Sequence, residues 1–292
     1  MKFLPSALLL ALLPQGSAFA PQPLGARADT GLALAEDAYG RALQATAAPA
    51  AAAPGGEIQS IQSIWENLAP VLVQGSSLRT WSFQSGNVER VQVLLKTDGR
   101  PLNSNIDLWQ GPDNTPHKIG VYIEDGDLRP FCAIIETPGT QNAIAIRNTG
   151  QLEFPMSACV ETKVPPPVTK KAPEVIQGGA LKTYAFKPSV ESVQVVLATD
   201  GRPLNARLEL LQGPNNNKQV VEIYTEDGVE RPFHIILQTP GVGNVVRCMN
   251  TSPIEFPMQA CIEPYTETDY SADDDFIVIS GGSEGTDVKK LR

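Results

Sequence analysis

The sequence predicts an all-β fold: two tandem homologous antiparallel β-sandwich domains in a pseudo-two-fold relation, with a short N-terminal helix and an extended C-terminal tail. An internal duplication carries most of this reading. Thr97-Asp98-Gly99-Arg100-Pro101-Leu102-Asn103 returns as Thr199-Asp200-Gly201-Arg202-Pro203-Leu204-Asn205, 102 positions later. From Val88/Val190 onward the copies align without a gap, and roughly half the positions are identical, which unrelated sequence does not give. The second observation is a series of short β-branched and aromatic runs, each closed by a Gly, Pro or Asp signal. The third is that neither copy contains a helical stretch.

The N-terminus reads as a processing segment. Residues 1–18 have the charged start, apolar centre and small-residue end of a signal peptide. Ser17-Ala18-Phe19-Ala20-Pro21 resembles the Ala-Phe-Ala-Pro junction of bipartite plastid-targeting sequences in diatoms and related algae, which implies a transit peptide beginning at Phe19. Asp29, Glu36 and Asp37 fit a transit peptide less well, and with the sequon Asn250-Thr251-Ser252 they keep ordinary secretion open. Residues 19–56 are assigned to transit peptide and a flexible Ala/Pro-rich linker. Ile58, Ile61, Ile64, Trp65 and Leu68 then fall at helical spacing, predicting a short amphipathic helix docked on the first domain or on a neighbouring molecule.

The first sandwich is placed at 57–163, helix included, and the second at 175–263. Strands are expected at Leu78–Phe83, Val91–Leu95, Ile106–Trp109, Ile119–Ile123, Phe131–Glu136, Ala143–Arg147 and Met156–Val160, with counterparts in the second copy. Asp-Gly ends the second run, and Thr137-Pro138-Gly139 suits a type II turn. Pro155 and Pro257 predict a last strand at an edge or bulge. Residues 164–174, with Pro165-Pro166-Pro167, read as a semi-rigid linker holding the sandwiches apart without much core between them. The tail, 264–292, has no counterpart after the first copy. Its acidic leader ends in the β-prone run Phe276-Ile277-Val278-Ile279, suited to adding a strand to an exposed sheet edge or to folding back on its own domain.

The composition narrows the function. A formal charge of −9 argues against nucleic-acid or anionic-membrane binding, and no apolar run after the N-terminus is long enough to span a membrane. Four cysteines are too few for a disulfide scaffold and read as buried thiols. No catalytic motif is present, and no cofactor or metal is expected. His117 and His234 have Gln219 and Cys132 as counterparts, so neither belongs to a duplicated site; Cys132 and His234 occupy the same place in different copies, and meeting would take an unusual interface. Asp98, Glu124, Asp125, Asp200, Glu226 and Asp227 could suit calcium, but turn chemistry explains them more simply. Arg100, Arg202, Arg129 and Arg231 each precede Pro in both copies; they are candidates for pairing with acidic turns such as Asp98 or Glu153, or for subunit contact.

With the Ala-Phe-Ala-Pro junction, the paired Thr-Asp-Gly-Arg-Pro-Leu-Asn and Glu-Phe-Pro-Met blocks and the Thr-Pro-Gly turns, the chain resembles the diatom pyrenoid shell proteins from about Glu57 to Glu263. The resemblance implies a non-enzymatic protein that self-assembles into a sheet around the Rubisco-filled pyrenoid in the plastid stroma, supporting CO2 concentration and fixation. The partners implied are further copies of the chain and the Rubisco-containing matrix. The competing reading is a tandem binding module for a carbohydrate or protein, with Trp81 and Trp109 as candidate platform aromatics, although their counterparts are Tyr184 and Leu211.

Overall fold

The computed structural model describes Trp65 and residues 69–83, 86–162, 164–214 and 216–268. The signal and transit segments, most of the short helix and the Phe276–Ile279 run lie outside the described residues; of the helix, Trp65 is described and is helical. Among the described residues no helix is long and apolar enough to cross a membrane.

The first copy contributes β1 (Val71–Val73), β2 (Leu78–Phe83), β3 (Arg90–Lys96), β4 (Leu102–Gln110), β5 (Asn114–Ile123), β6 (Phe131–Glu136), β7 (Asn142–Asn148) and β8 (Met156–Glu161). The second contributes β9 (Glu174–Ile176), β10 (Leu181–Ala185), β11 (Val190–Ala198), β12 (Leu204–Gln212), β13 (Asn217–Thr225), β14 (Phe233–Gln238), β15 (Asn244–Asn250) and β16 (Met258–Glu267). All the anticipated strands form. The additions are β1 and β9, each only three residues long and too short to show an alternation.

These strands make two eight-stranded antiparallel sheets, ordered β1-β8-β3-β6-β14-β11-β16-β9 and β10-β15-β12-β13-β5-β4-β7-β2. The inward residues of both sheets, from Val73, Val93 and Ile106 to Val195, Leu208 and Ile262, join in a single buried cluster that runs through both copies. The expectation of two sandwiches held apart is therefore overturned: both sheets continue from one copy into the other. The proline-rich segment instead crosses the outer face of the first sheet. There Gln194 Nε2 donates to the Val168 carbonyl at 2.9 Å, and the Lys170 and Lys171 amides donate to the Glu263 carboxylate at 2.9 Å each. Glu263 is a buried acid held by these amides and by the Gln194 side chain. Trp65 packs on the same sheet's outer face in the first copy, against Leu94, Cys132, Cys159 and Ile236, with Tyr265.

Pro155 and Pro257 fall just before the first residues of β8 and β16, which lie one strand in from the edge. The edge-or-bulge expectation is corrected: each proline ends a turn before the strand needs its amide. The edges of this sheet, β1 and β9, are three residues each, which limits unwanted pairing along the backbone.

Candidate functional site

The residues shared by both copies converge on turns and on the joint between the copies. In the Thr97–Asn103 motif, Thr97 Oγ1 donates to the Arg100 carbonyl at 2.5 Å, the Thr97 amide to the Gly126 carbonyl at 3.3 Å, and the Gly126 amide to the Arg100 carbonyl at 3.1 Å. The motif thus closes its own turn and clasps the Glu124-Asp125-Gly126 turn. The second copy repeats this clasp through Thr199, Arg202 and Gly228. Asp125 Oδ1 accepts from the Asp127 and Leu128 amides at 3.0 Å each, and Asp227 Oδ1 from Val229 and Glu230 at 2.8 and 3.0 Å. These aspartates serve their own turns. Among the described residues no group of three or more His, Cys, Asp or Glu side chains is placed to hold a metal ion.

The joint is built from β5 with β13 and β6 with β14. Gly120 pairs with Glu222, and Ala133 with Ile235. Each pair differs by 102, the repeat offset, so equivalent residues face each other at the centre of both sheets. A pseudo-dyad passes through these two points. It also explains why Gly120 stands opposite a glutamate: two glutamates directly across an antiparallel pair would repel. Beside this point a shallow hollow of about 490 Å³ is lined by Lys118, Gly120, Asn205, Arg207, Glu222 and Tyr224 among others. Arg207 bridges Glu209 and Glu222 at 2.8 and 2.6 Å, so its rim is a satisfied ion network.

Two reciprocal clamps flank the dyad. Arg129 donates to Gln212 Oε1 at 2.8 Å, and Arg231 donates to Gln110 Oε1 at 2.9 Å. Gln110 and Gln212 in turn donate to the Pro138 and Pro240 carbonyls at 3.0 and 3.1 Å. Three motifs that recur separately in the sequence, Gln-Gly-Pro, Arg-Pro-Phe and Thr-Pro-Gly, are therefore one network across the joint. Both arginines are almost fully buried, at 2% and 4% exposure, so within one chain they join copy to copy. Arg231→Met is expected to cost about 1–3 kcal/mol, because Gln110 would lose a charge-assisted bond inside the joint. Arg129→Met loses the matching bond to Gln212 but no ion pair like that of Arg231 with Glu230 at 2.6 Å, so its cost should be equal or smaller; chemical unfolding of each variant checks the order.

Arg100 and Arg202 behave differently. Each is exposed, donates to the Glu153 or Glu255 carbonyl at 3.1 or 2.8 Å, and sits over Phe154 or Phe256 at 5.5 or 5.4 Å. Arg202 also lies 3.6 Å from Asp200. The expected contact with Glu153 occurs, through its backbone.

The unusual interface needed to bring Cys132 near His234 does exist. Ile134 pairs with His234, and Cys132 with Ile236, so the two lie on adjacent strands, two residues out of register. The surroundings oppose nucleophilic chemistry. Burial pushes the Cys132 thiol up to about 12 and lowers His234 to about 4, so near neutrality both are uncharged. All four cysteines are free and buried.

The polar residues common to both copies thus define a class: an all-β protein made by duplication around a pseudo-dyad, with its shared side chains committed to turns and to the joint. The comparison with known families is specific. The family model for diatom pyrenoid shell protein matches residues 65–264, and the chain belongs to that family, with a structural role at the pyrenoid. No curated protein matches it.

Proposed function

We propose that the chain is a non-enzymatic subunit that assembles with its own copies into a sheet-like shell at the pyrenoid periphery in the plastid stroma. The shell would enclose the Rubisco-containing matrix and support CO2 concentration and fixation. The observation that carries this reading, beside family membership, is the joint. It merges two copies into one double sheet with pseudo-equivalent ends, and a block with two such ends propagates contacts instead of closing them. The Phe276–Ile279 run is proposed as a strand added to the edge of a neighbouring copy.

β16 runs to Glu267 and pairs with β11 as far as Val190, so the tail to test begins after it. Deleting Asp269–Arg292 should leave the double sheet folded and weaken assembly. Sedimentation and electron microscopy of the processed full chain and of this deletion test the proposal. Sheets or tubes that form equally well without the tail would remove its role, and a monodisperse full chain would remove the shell reading. The binding-module alternative loses its aromatic platform, because Trp81 packs against the inner core while Trp109 follows inward Leu108 and faces out from the same sheet.

A further inference from the structure

Single exposed apolar side chains are common on soluble proteins and need no explanation. The duplication supplies a filter. Exposed Leu128, Val229 and Val242 have Glu230, Asp127 and Thr140 as counterparts, so these apolar residues were not kept in both copies, and exposed Leu181 has Leu78, which is half-buried. Leu152 and Ile254 are counterparts, both apolar and exposed by 72% and 78%. Leu72 and Val175 are a second such pair, at 51% and 52%, each one residue before the buried edge-strand residue that faces Met156 or Met258.

Both pairs belong to one structural unit, built twice. The backbone at Leu152 lies against Gly75, so close that a Cβ there would stand 2.7 Å from the Leu152 Cα; Gly178 and Ile254 repeat this at 2.8 Å. Gly75 is three residues from Leu72, and Gly178 is three from Val175. Asn148 Nδ2 donates to the Val73 and Phe154 carbonyls at 3.1 and 2.8 Å, tying the edge strand to the turn, and Asn250 does the same with Ile176 and Phe256 at 3.0 and 2.9 Å. The arginine over each Phe completes the scaffold. Leu152 and Ile254 are therefore held out to solvent on turns fixed by hydrogen bonds, which lowers the ordering cost of binding.

We propose that these two patches are the contact surfaces through which one copy of this chain binds the next. This rests on the self-assembly reading and names its surface. Each patch carries an apolar projection, an exposed guanidinium (Arg100 or Arg202) and exposed carboxylates (Asp98 and Glu153, or Asp200 and Glu255). A patch with both signs of charge around an apolar centre complements another patch of the same kind, and suits a second copy better than a partner of one charge. The pseudo-dyad sets the patches beside β1 and β9, at opposite edges of one eight-stranded sheet and so about 33 Å apart at the usual strand spacing. Among the described residues nothing pairs with the outer edge of β1 or β9, so backbone pairing can join the side-chain contact.

The test uses the full processed chain, a Leu152→Asp/Ile254→Asp variant and a Leu152→Ser/Ile254→Ser variant. Pelleted fraction and electron micrographs are read beside circular dichroism and thermal melting. Because both side chains are exposed, at least the serine variant should melt like the parent chain. The expected result is that the parent pellets as sheets or tubes while the variants stay folded and in the supernatant. If the parent assembles and a folded variant assembles equally, the patches are not the contact and the self-assembly reading still stands. If the parent itself remains monomeric, that reading fails and this one falls with it.

Discussion

Alanine at Gly75 or Gly178 is expected to destabilise the fold by about 3 kcal/mol or more, among the largest losses for any single added methyl. A Cβ at Gly75 would lie 1.8 Å from the Gln151 carbonyl oxygen, and one at Gly178 would lie 1.7 Å from that of Pro253. Both contacts are with backbone, so no side-chain rotamer can relieve them. The turn would have to lift away, taking with it the hydrogen bonds of Asn148 or Asn250 to the edge strand. For a fold of this size the loss corresponds to a fall in melting temperature of about 6–12 °C. Gly99→Ala is the control. Its φ of +70° strains an alanine, but nothing lies within 4 Å of the added carbon, so about 1 kcal/mol is expected. Equal losses at Gly75 and Gly99 would show that the close approach is softer than the geometry indicates. Because Leu152 and Ile254 ride on these turns, the Gly75 and Gly178 variants should also assemble less well at temperatures where they remain folded.

The strands were legible because a half-buried strand writes its two faces into alternate residues. The Asp-Gly and Thr-Pro-Gly turns were legible because their glycines need positive φ, as Gly99, Gly139, Gly201 and Gly241 have. The joint was not read, although a trace of it is present. Phe131-Cys132-Ala133-Ile134-Ile135 is an unbroken apolar run, and each of these residues is buried, so the strand is covered on both faces. A strand covered on both faces fits the middle of a larger sheet better than the rim of a separate domain. The clamps were half legible. Arg129 and Arg231 stood out by recurring, but repetition cannot tell whether an arginine pairs within its own copy or with the other. That choice depends on the pseudo-dyad, which no local pattern encodes. Gln110 and Gln212 were visible only as parts of turn motifs. Leu152 and Ile254 needed both facts together, their recurrence and their exposure.

Acidification from pH 7 to pH 5 is expected to cost the fold about 2 kcal/mol for each of its two histidines. Burial drives His117 down to about 3, with Arg231 adding to the effect, and drives His234 down to about 4. His117 sits in the core with its ring 5.9 Å from that of Phe233, and neither of its nitrogens has a partner among the described residues; the same is true of the His234 nitrogens. Both are therefore neutral in the folded chain across the mildly acidic range. The sign follows from proton counting: between the folded values and the ordinary value of 6.5, the unfolded chain binds more protons, so stability falls as pH falls. Glu136 and Asp107 act in the opposite direction, since burial raises both: above their ordinary values of 4.5 and 3.8 the folded chain holds the extra proton, so their contribution to stability rises as pH falls toward those values. Chemical unfolding between pH 7 and pH 5, compared between the parent and histidine variants, therefore separates the histidine contribution from the carboxyl one. The duplication itself supplies the control substitutions, His117→Gln and His234→Cys, because Gln219 and Cys132 already occupy the matching positions. The double variant should lose most of the slope in this window, and a variant as acid-sensitive as the parent would place the titrating groups elsewhere. On the alkaline side, burial holds Cys132 and Cys248 at about 12 and Cys261 at about 11, so stability should fall again as pH rises past the ordinary thiol value of 9.0. For the histidines and thiols the double sheet is then most stable between their two ordinary values, where these groups are uncharged in both the folded and the unfolded chain.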